Sequence, residues 1–312
     1  MQAYHTTPLS IVPHRRPKVL LLGNGLNRVY GGASWAGLLD KMNRAAFTAE
    51  KVKSLPFPMQ AVLLSQDHVD VSLQELQREL TQCQVHPWLS EQIQRLLALP
   101  FDCVLTPNFT YEVEYALCPD FLDNPQRYLH HTRAVPRPEN GFMLHTYYNL
   151  PAGNRSLPLF HIHGEARVPN TVILGHYYYG NLLFCCDEYL THRAPAQRYP
   201  LWPGSQGMEA LSWLDYFILG DVYTLGFGFD TSEMDLWWLL CRKKRERAPH
   251  GGLWFYEPAR QSAETKQALL EAYQAQCVSL GFRDPQGEDY RRFYELAVKD
   301  LARRLRQEET AP

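Results

Sequence analysis

Residues 18–27 have the sequence KVLLLGNGLN, in which a short apolar run is followed directly by a glycine-rich loop. A buried parallel strand shows such an apolar run, and glycine lets the chain turn sharply where the strand ends. Beyond the loop, Ser34 can cap a helix that contains Trp35, Leu38 and Met42. This stretch therefore predicts a strand, a glycine-rich loop and a helix in succession.

Short apolar runs that stop at Gly, Pro or Asp recur along the chain and alternate with segments of helical spacing. This alternation is typical of an α/β fold, with a parallel sheet and helices on both faces. We expect one Rossmann-like domain over residues 1–312, with a helical insertion at about 50–100 and an irregular one at about 120–158 that contains a strand near Met143–Tyr148. Further strands are predicted at Phe101–Thr106, Leu159–His163, Thr171–Leu174, Val222–Phe229, Leu253–Tyr256 and Cys277–Leu280. Helices are predicted at Tyr111–Leu117, Met208–Leu219, Glu233–Glu246, Glu264–Tyr273 and Tyr290–Arg306.

Charge and cysteine content exclude several classes of protein. The 312 residues carry a net charge of −2, so no excess of basic residues favours nucleic acid or an anionic membrane as partner. The basic cluster Arg242–Arg247 is expected to be a solvated helix end. No apolar run approaches the about 18 residues that cross a bilayer. The seven cysteines contain no C-x-x-C pair, which is typical of reduced thiols. We therefore expect a cytoplasmic protein.

Four segments lie at the carboxyl ends of predicted strands and so fall at the edge of the expected sheet where open parallel sheets bind ligands. They are Gly23–Asn27, Thr106–Asn108, His161–Gly164 and Leu225–Asp230. The first offers backbone N–H groups at a strand-to-helix turn, which suits a pyrophosphate. Arg28 in place of a third glycine excludes the dehydrogenase fingerprint.

Each of these segments also permits a purely structural interpretation. The glycine loop can be a tight turn, and Asn108 can hydrogen-bond its own turn. His161 and His163 lie two residues apart on a predicted strand, so their side chains are expected to point the same way. That spacing permits a metal pair or a packed core histidine, but no convincing third and fourth metal ligands are evident.

The glycine-rich end of the predicted strand Val222–Phe229 has similar alternatives. Gly226 and Gly228 can serve close packing between helix and strand. Asp230 can cap the next helix, with Glu233 completing a capping box.

Together and in this order, the segments resemble the SIR2-like family, the sirtuin-type NAD-binding fold, in its divergent bacterial branch. Gly23–Asn27 is similar to the loop G-A-G-[IV]-S, and Gly31–Trp35 to G-x-P-x-W. Phe101–Glu114 resembles D-x-[IV]-[IL]-T-T-N-Y-D-x-x-[IL]-E. His163-Gly164 is similar to the catalytic H-G, and Leu225–Phe229 to L-G-[FY]-S-[FL].

The chain departs from the family pattern at several positions. Asn27 replaces a Ser, Ala33 a Pro, Pro107 a Thr and Thr110 an Asp. The C-x-x-C…C-x-x-C zinc ribbon of protein-deacylating sirtuins is absent. Because that ribbon helps to form the acyl-peptide groove, its absence favours water as the acceptor.

The resemblance implies an NAD glycohydrolase that cleaves the nicotinamide–ribose bond, with NAD as substrate and no metal, acting as a bacterial antiphage-defence effector. It implies Asn108 and His163 as catalytic residues. The residues it implies for binding NAD are Gly23, Asn24, Gly25, Leu26, Asn27, Thr106, Gly226, Gly228, Asp230 and Glu233.

Three alternatives stay open: a module that binds NAD or an ADP-ribose nucleotide without turnover, an NAD-dependent deacylase or ADP-ribosyltransferase, and a metal hydrolase built on His161 and His163. We expect a low basal activity that is released by a regulatory protein partner, a small nucleotide or a change in assembly of a homo-oligomer. The insertions at about 50–100 and 120–158 are expected to cover the nicotinamide end of the pocket. Asn108→Ala and His163→Ala are expected to leave the fold intact, and His161 is expected to tolerate Gln better than His163 does.

Overall fold

The computed structural model of the chain describes residues 6–32, 34–45, 49–82, 84–132, 143–192, 206–245, 251–259, 264–281 and 288–310. In these ranges the strands are β1 (Leu9–Ile11), β2 (Lys18–Leu22), β3 (Cys103–Thr106), β4 (Leu129–His131), β5 (Thr146–Ala152), β6 (Arg155–His161), β7 (Met208–Ala210), β8 (Asp221–Leu225), β9 (Leu253–Pro258) and β10 (Ala275–Leu280). The helices are α1 (Trp35–Met42), α2 (Ala49–Val52), α3 (Phe57–Ser65), α4 (Val69–Thr81), α5 (Pro87–Leu97), α6 (Glu112–Leu117), α7 (His176–His192), α8 (Trp213–Leu219), α9 (Met234–Arg245), α10 (Glu264–Ala272) and α11 (Glu288–Thr310).

A central sheet of eight strands has the order β10-β9-β8-β2-β3-β6-β5-β4. The pairs from β10 to β6 are parallel, whereas β5 and β4 are antiparallel additions at one edge. Strands β1 and β7 form a separate antiparallel pair. The sheet is thus mostly parallel, and the predicted Rossmann-like α/β fold is confirmed.

The central strand β2 shows why helices cover both faces of the sheet. Its side chains alternate, so that Leu20 and Leu22 join one buried cluster while Val19 and Leu21 join another. The first cluster contains apolar residues of α1 to α6 and α11, and the second contains those of α7 to α10. As predicted, Ser34 caps α1, because its Oγ accepts the N–H of Gly37 at 3.0 Å.

Residues 50–100 are mostly helical, as predicted, and contain helices α2 to α5. The irregular insertion expected at about 120–158 is different in the structure. Its described part contains β4, all of β5 and the start of β6, and β5 pairs with β6 as an antiparallel hairpin. Gly153 turns the hairpin with a φ of +63°. Proline in this segment suggested irregular chain, but Pro151 is exposed on an outer strand pair, where proline is tolerated.

Two other predicted elements are wrong. Thr171–Leu174 is not a strand, because Pro169–Thr171 forms a short 3₁₀ turn in which the Val172 N–H bonds to the Pro169 carbonyl. The helix predicted over Met208–Leu219 is divided. Met208–Ala210 pairs with β1, and Ser212 starts α8 through a capping box with Asp215.

Residues 246 and 247, the C-terminal end of the basic cluster Arg242–Arg247, lie outside the described residues, as do Ala33 and Cys83. Within the described part of the chain, no helix combines the length and apolar character needed to cross a membrane.

The basic cluster was expected to be exposed to solvent, but Lys243 is buried and only 4% exposed. Its Nζ donates to the carbonyls of Phe217, Ile218 and Gly220 at 2.7, 3.1 and 2.6 Å. These carbonyls belong to the last turn of α8 and its C-cap, where a helix leaves its acceptors without intrahelical partners. Lys243 of α9 therefore ties the two helices together.

Lys243→Met is expected to lower the free energy of unfolding by about 1–3 kcal/mol, because three buried acceptors lose their donor. Urea denaturation measures the change. Lys244→Met is the matched control, since the Nζ of Lys244 is bonded to one carbonyl, that of Ala272, at an exposed position. Equal loss of stability in the two variants would contradict this assignment.

Candidate functional site

The four predicted site segments lie together at the carboxyl ends of β8, β2, β3 and β6, which are adjacent in the sheet. A cavity of about 610 Å³ opens at this edge and is lined by residues of all four segments. Trp35 of α1, Phe57 of α3, Leu80 of α4 and Tyr294 of α11 also line it. Its volume lies within the range of about 300–1,000 Å³ common for small-molecule sites.

The glycine loop packs directly on the turn that follows β8. The N–H of Gly23 donates to the Leu225 carbonyl at 2.9 Å, and the N–H of Gly25 donates to the Gly226 carbonyl at 2.7 Å. A Cβ on Gly25 would lie 2.5 Å from the Tyr294 hydroxyl and 2.7 Å from the Gly226 oxygen. Close backbone approach therefore explains both loop glycines, and their N–H groups are bonded within the protein.

Other groups of this loop reach the cavity. Asn24, Gly25 and Arg28 line it, whereas Leu26 and Asn27 are buried beneath. The Asn27 amide donates to the Asn24 side-chain oxygen at 3.0 Å and so shapes the loop. Arg28, at the position where the dehydrogenase fingerprint has glycine, contributes a cationic side chain to the cavity wall.

Asn108 lies between β3 and α6 and lines the cavity. Its backbone N–H donates to Thr106 Oγ1 at 3.2 Å, and its carbonyl accepts from His161 Nδ1 at 2.7 Å. Thr106 itself is buried and donates to the Leu22 carbonyl, so it supports Asn108 from beneath and does not line the cavity. Within the described ranges the Asn108 side-chain amide has no hydrogen-bond partner. That amide is free to bind a ligand.

His163 lies just beyond its strand, because β6 ends at His161 and does not extend to His163 as predicted. The chain turns here through Gly164, whose φ is +81° and whose added Cβ would lie 2.1 Å from the Thr171 oxygen. Only glycine fits at that position. The turn directs His163 away from His161, so the expectation that the two side chains point the same way is wrong.

The His163 imidazole is held between two carboxylates. Its Nε2 lies 2.9 Å from Asp235 Oδ2, and its Nδ1 lies 3.8 Å from Glu233 Oε2, which is longer than a hydrogen bond. Burial by itself lowers the pKa of His163, but Asp235 first and Glu233 second outweigh burial and raise it. Hydrogen bonding to Asp235 leaves Nδ1 as the nitrogen that can exchange a proton with a ligand.

Asp235 is a functional candidate that the sequence reasoning missed. It lies in the first turn of α9, is fully buried, and its Oδ1 has no partner in the described structure. The sequence did contain a signal for this residue, because Asp235 is acidic but lies on the apolar face of a helix together with Leu236, Leu239 and Leu240. A buried carboxylate that contacts a single histidine is typical of an orienting group in an active site.

His161 belongs to a second buried cluster. Its Nε2 lies 2.7 Å from Glu114 Oε1, and its ring packs edge-on against Tyr111 and Tyr148. The hydroxyls of both tyrosines donate to Glu165 Oε2 at 2.6 Å. With His161 in this cluster and His163 beside Asp235, the two histidines do not form the metal pair that their spacing permitted.

Glu233 and Asp230 do not form the capping box that was one interpretation of their spacing. The helix starts later, at Met234, and the Asp230 carboxylate accepts the N–H and hydroxyl of Ser232 at 2.9 and 2.7 Å. The Glu233 carboxylate faces the site, where it accepts the Tyr179 hydroxyl at 2.8 Å. Burial is the main cause that raises the pKa of Glu233, and His163 partly opposes it. Tyr179 of α7 is a further lining residue that the sequence analysis missed.

His163, Glu233 and Asp235 are also a group whose ligand atoms lie within 4.8 Å of one another, as a metal ion requires. The two carboxylates, however, lie on the two different nitrogens of one imidazole ring. A metal bound at Nδ1 would have Glu233 beside it, while Asp235 stays on Nε2. The arrangement fits a histidine oriented by hydrogen bonding better than a chelate.

Eight of the predicted site residues line the cavity, namely Asn24, Gly25, Asn108, His163, Gly226, Gly228, Asp230 and Glu233. Gly23, Leu26, Asn27 and Thr106 lie behind them and do not line it. Thr110 also lines the cavity, and its hydroxyl donates to Glu112 Oε2 at 2.6 Å.

The expectation that both insertions cover the pocket holds for only one of them. Phe57 and Leu80, from the helical layer at 50–100, line the cavity. The described residues of 120–158 do not line it, because the hairpin extends the sheet edge beyond β6. The described part of this segment therefore does not cover the cavity.

No family model matches the chain, and the search of curated proteins also finds no match.

Proposed function

We propose that this protein hydrolyses NAD at the nicotinamide–ribose bond and releases nicotinamide and ADP-ribose. One observation carries the proposal. A single cavity contains the Asn108 side-chain amide and the His163 imidazole, whose Nε2 is hydrogen-bonded to the buried Asp235 carboxylate. Among the described residues, neither the Asn108 amide nor His163 Nδ1 has a hydrogen-bond partner. The ordered resemblance to the SIR2-like family suggests the reaction, and a cavity of about 610 Å³ suits a dinucleotide.

Charges around the cavity suggest how NAD would lie. The pyrophosphate would bind near Asn24, Gly25 and Arg28, where the guanidinium can replace the two N–H groups used within the protein. Asp230 and the glycines after β8 would face the adenosine half. Glu233 belongs with the nicotinamide ribose, because it lies beside His163.

The reaction would proceed by loss of nicotinamide, which takes both electrons of the C–N bond and leaves an oxocarbenium-like ribose. Water then forms the new C–O bond, and one proton must leave that water. His163 Nδ1 can accept a proton from the water or from a ribose hydroxyl. The hydrogen bond to Asp235 holds the other ring proton on Nε2, and the Asp235 carboxylate stabilises the imidazolium that forms. The Asn108 amide would orient the attacking water or the ribose hydroxyl.

The test is incubation of the full chain with NAD alone, followed by chromatography of the products. Nicotinamide and ADP-ribose released without any added peptide would support hydrolysis. NAD binding without release would favour the binding module that the Thr110 replacement permits. Release only with an acylated peptide would favour a deacylase, and transfer of labelled ADP-ribose to protein would favour a transferase.

The pH profile should report His163. Because its pKa is raised, the acidic limb of kcat/KM is expected above pH ~6.5, the ordinary histidine value, and activity should fall as the pH drops through that limb. Glu233→Gln removes a negative charge that raises this pKa, so it should move the limb to lower pH. Glu257→Gln is the control, since Glu257 lines the cavity but pairs with Lys266 at 3.6 Å. An equal shift in both variants would contradict the assignment.

A further inference from the structure

The position of Asn108 depends on side chains outside the cavity. It lies in the turn between β3 and α6, where neither strand pairing nor a helix includes its backbone. Its two backbone polar groups are bonded to side chains, the N–H to Thr106 and the carbonyl to His161. The Thr106 bond is 3.2 Å long, whereas the His161 bond is 2.7 Å. The shorter and therefore stronger anchor of Asn108 is His161.

His161 is itself fixed by Glu114. The two side chains are each 1% exposed, and Nε2 lies 2.7 Å from Glu114 Oε1. Since a carbonyl and a carboxylate both accept hydrogen bonds, each ring nitrogen must carry a proton, and His161 is an imidazolium. Burial lowers the pKa of His161, but Glu114 outweighs it and the pKa rises to about 9. The cation therefore persists at neutral pH.

Aromatic side chains pack around this pair. Tyr111 and Tyr148 pack against the His161 ring, with ring centroids 5.4 and 5.9 Å away. Glu114 projects from α6, the helix that follows the Asn108 turn, so the pair joins the end of β6 to that helix. Hydrogen bonds between side chains as deeply buried as these are stronger than they would be in water.

We propose that Glu114 and His161 form a positioning pair that holds the Asn108 carbonyl and thereby keeps the Asn108 amide directed into the cavity. The inference rests on the proposed function, because it assigns the pair an effect on NAD turnover. Neither residue lines the cavity, so loss of the hydrogen bond that they hold on the Asn108 carbonyl should lower kcat and leave KM for NAD nearly unchanged. Misplacement of a reacting group by about 1 Å can cost up to about 10²-fold in rate.

Two substitutions separate the two hydrogen bonds of His161. An Asn amide nitrogen lies where Nδ1 lies, and a Gln amide nitrogen lies where Nε2 lies. His161→Gln should therefore keep the bond to Glu114 and lose the bond to Asn108. His161→Asn combined with Glu114→Gln should keep the bond to Asn108, and the second change avoids leaving a buried unpaired carboxylate.

His161→Gln is expected to lower kcat about tenfold at nearly constant KM, whereas the double variant should keep most of the wild-type kcat. Thermal unfolding of both variants gives the structural comparison. If the pair is purely structural, kcat should fall in proportion to the loss of melting temperature in both variants. That result would overturn the proposal, as would an equal loss of kcat in the two variants.

Nitrogen NMR of ¹⁵N-labelled imidazole gives a readout that does not need turnover. Wild-type His161 is expected to have both ring nitrogens protonated at neutral pH, and a singly protonated ring would overturn the proposal. Were wild-type protein to release no nicotinamide, the proposed function would fail. The positioning pair would then be tested by calorimetry of NAD binding. His161→Gln is expected to bind NAD more weakly than the double variant does, and equal binding by the two would overturn the proposal.

Discussion

His163→Gln is expected to slow nicotinamide release from NAD by at least about 10²-fold while the protein stays folded. The Gln amide nitrogen can take the place of Nε2 and donate to Asp235 Oδ2, so the buried carboxylate keeps its partner. The variant has no group equivalent to Nδ1 and hence no base for the proton of the water. Steady-state kcat and thermal unfolding, measured on the same preparation, check both parts of the expectation.

His163→Ala is a poorer variant than the sequence suggested. His163 is buried, and its removal would leave Asp235, which is fully buried, without a partner. Loss of one member of such a pair costs about 3–5 kcal/mol, so the alanine variant is expected to be destabilised. Asn108→Ala is the better companion, because the amide it removes has no partner among the described residues. If His163→Gln and Asn108→Ala both release nicotinamide at the wild-type rate, the catalytic assignment is wrong.

Asp235→Asn is expected to lower kcat by about 10²- to 10⁴-fold with little change of side-chain volume. An Asn side chain can donate its N–H to Nε2, and His163 would then carry its proton on Nδ1, the nitrogen that must accept one. Loss of the negative charge should also lower the pKa of His163 and move the acidic limb of the residual activity to lower pH. The pH dependence of kcat/KM measures this shift.

Asp215→Asn is the matched control for Asp235→Asn. Asp215 is also a buried aspartate near the start of a helix, but it accepts the Leu211 N–H and the Tyr189 hydroxyl, at 2.9 and 2.7 Å, and does not line the cavity. It should change stability and leave the pH limb in place. An Asp235→Asn enzyme with wild-type kcat and pH profile would remove Asp235 from the site.

The local sequence pattern was sufficient to predict the first strand with its loop and the place where the site segments meet. The apolar run Lys18–Leu22 and its glycine loop predicted the first strand and turn, because burial on both faces demands apolar residues and the turn demands glycine. The meeting of the four segments in one cavity was also predictable, because parallel strands place their carboxyl ends at one edge of the sheet. Helix α7 was not assigned, because its aromatic residues obscured the helical spacing, and with it Tyr179 was missed.

The sequence by itself thus determined the mostly parallel sheet, the order of its site segments, and Asn108 and His163 as residues of one cavity. Tertiary structure alone decided which carboxylate each histidine meets. His163 and Asp235 are far apart along the chain, and their contact depends on the turn at Gly164 and on how α9 packs on the sheet. His161 and Glu114, and Lys243 with the end of α8, are likewise brought together by packing. A buried charge must be paired, and its partner is decided by tertiary packing because no local periodicity in the sequence specifies it.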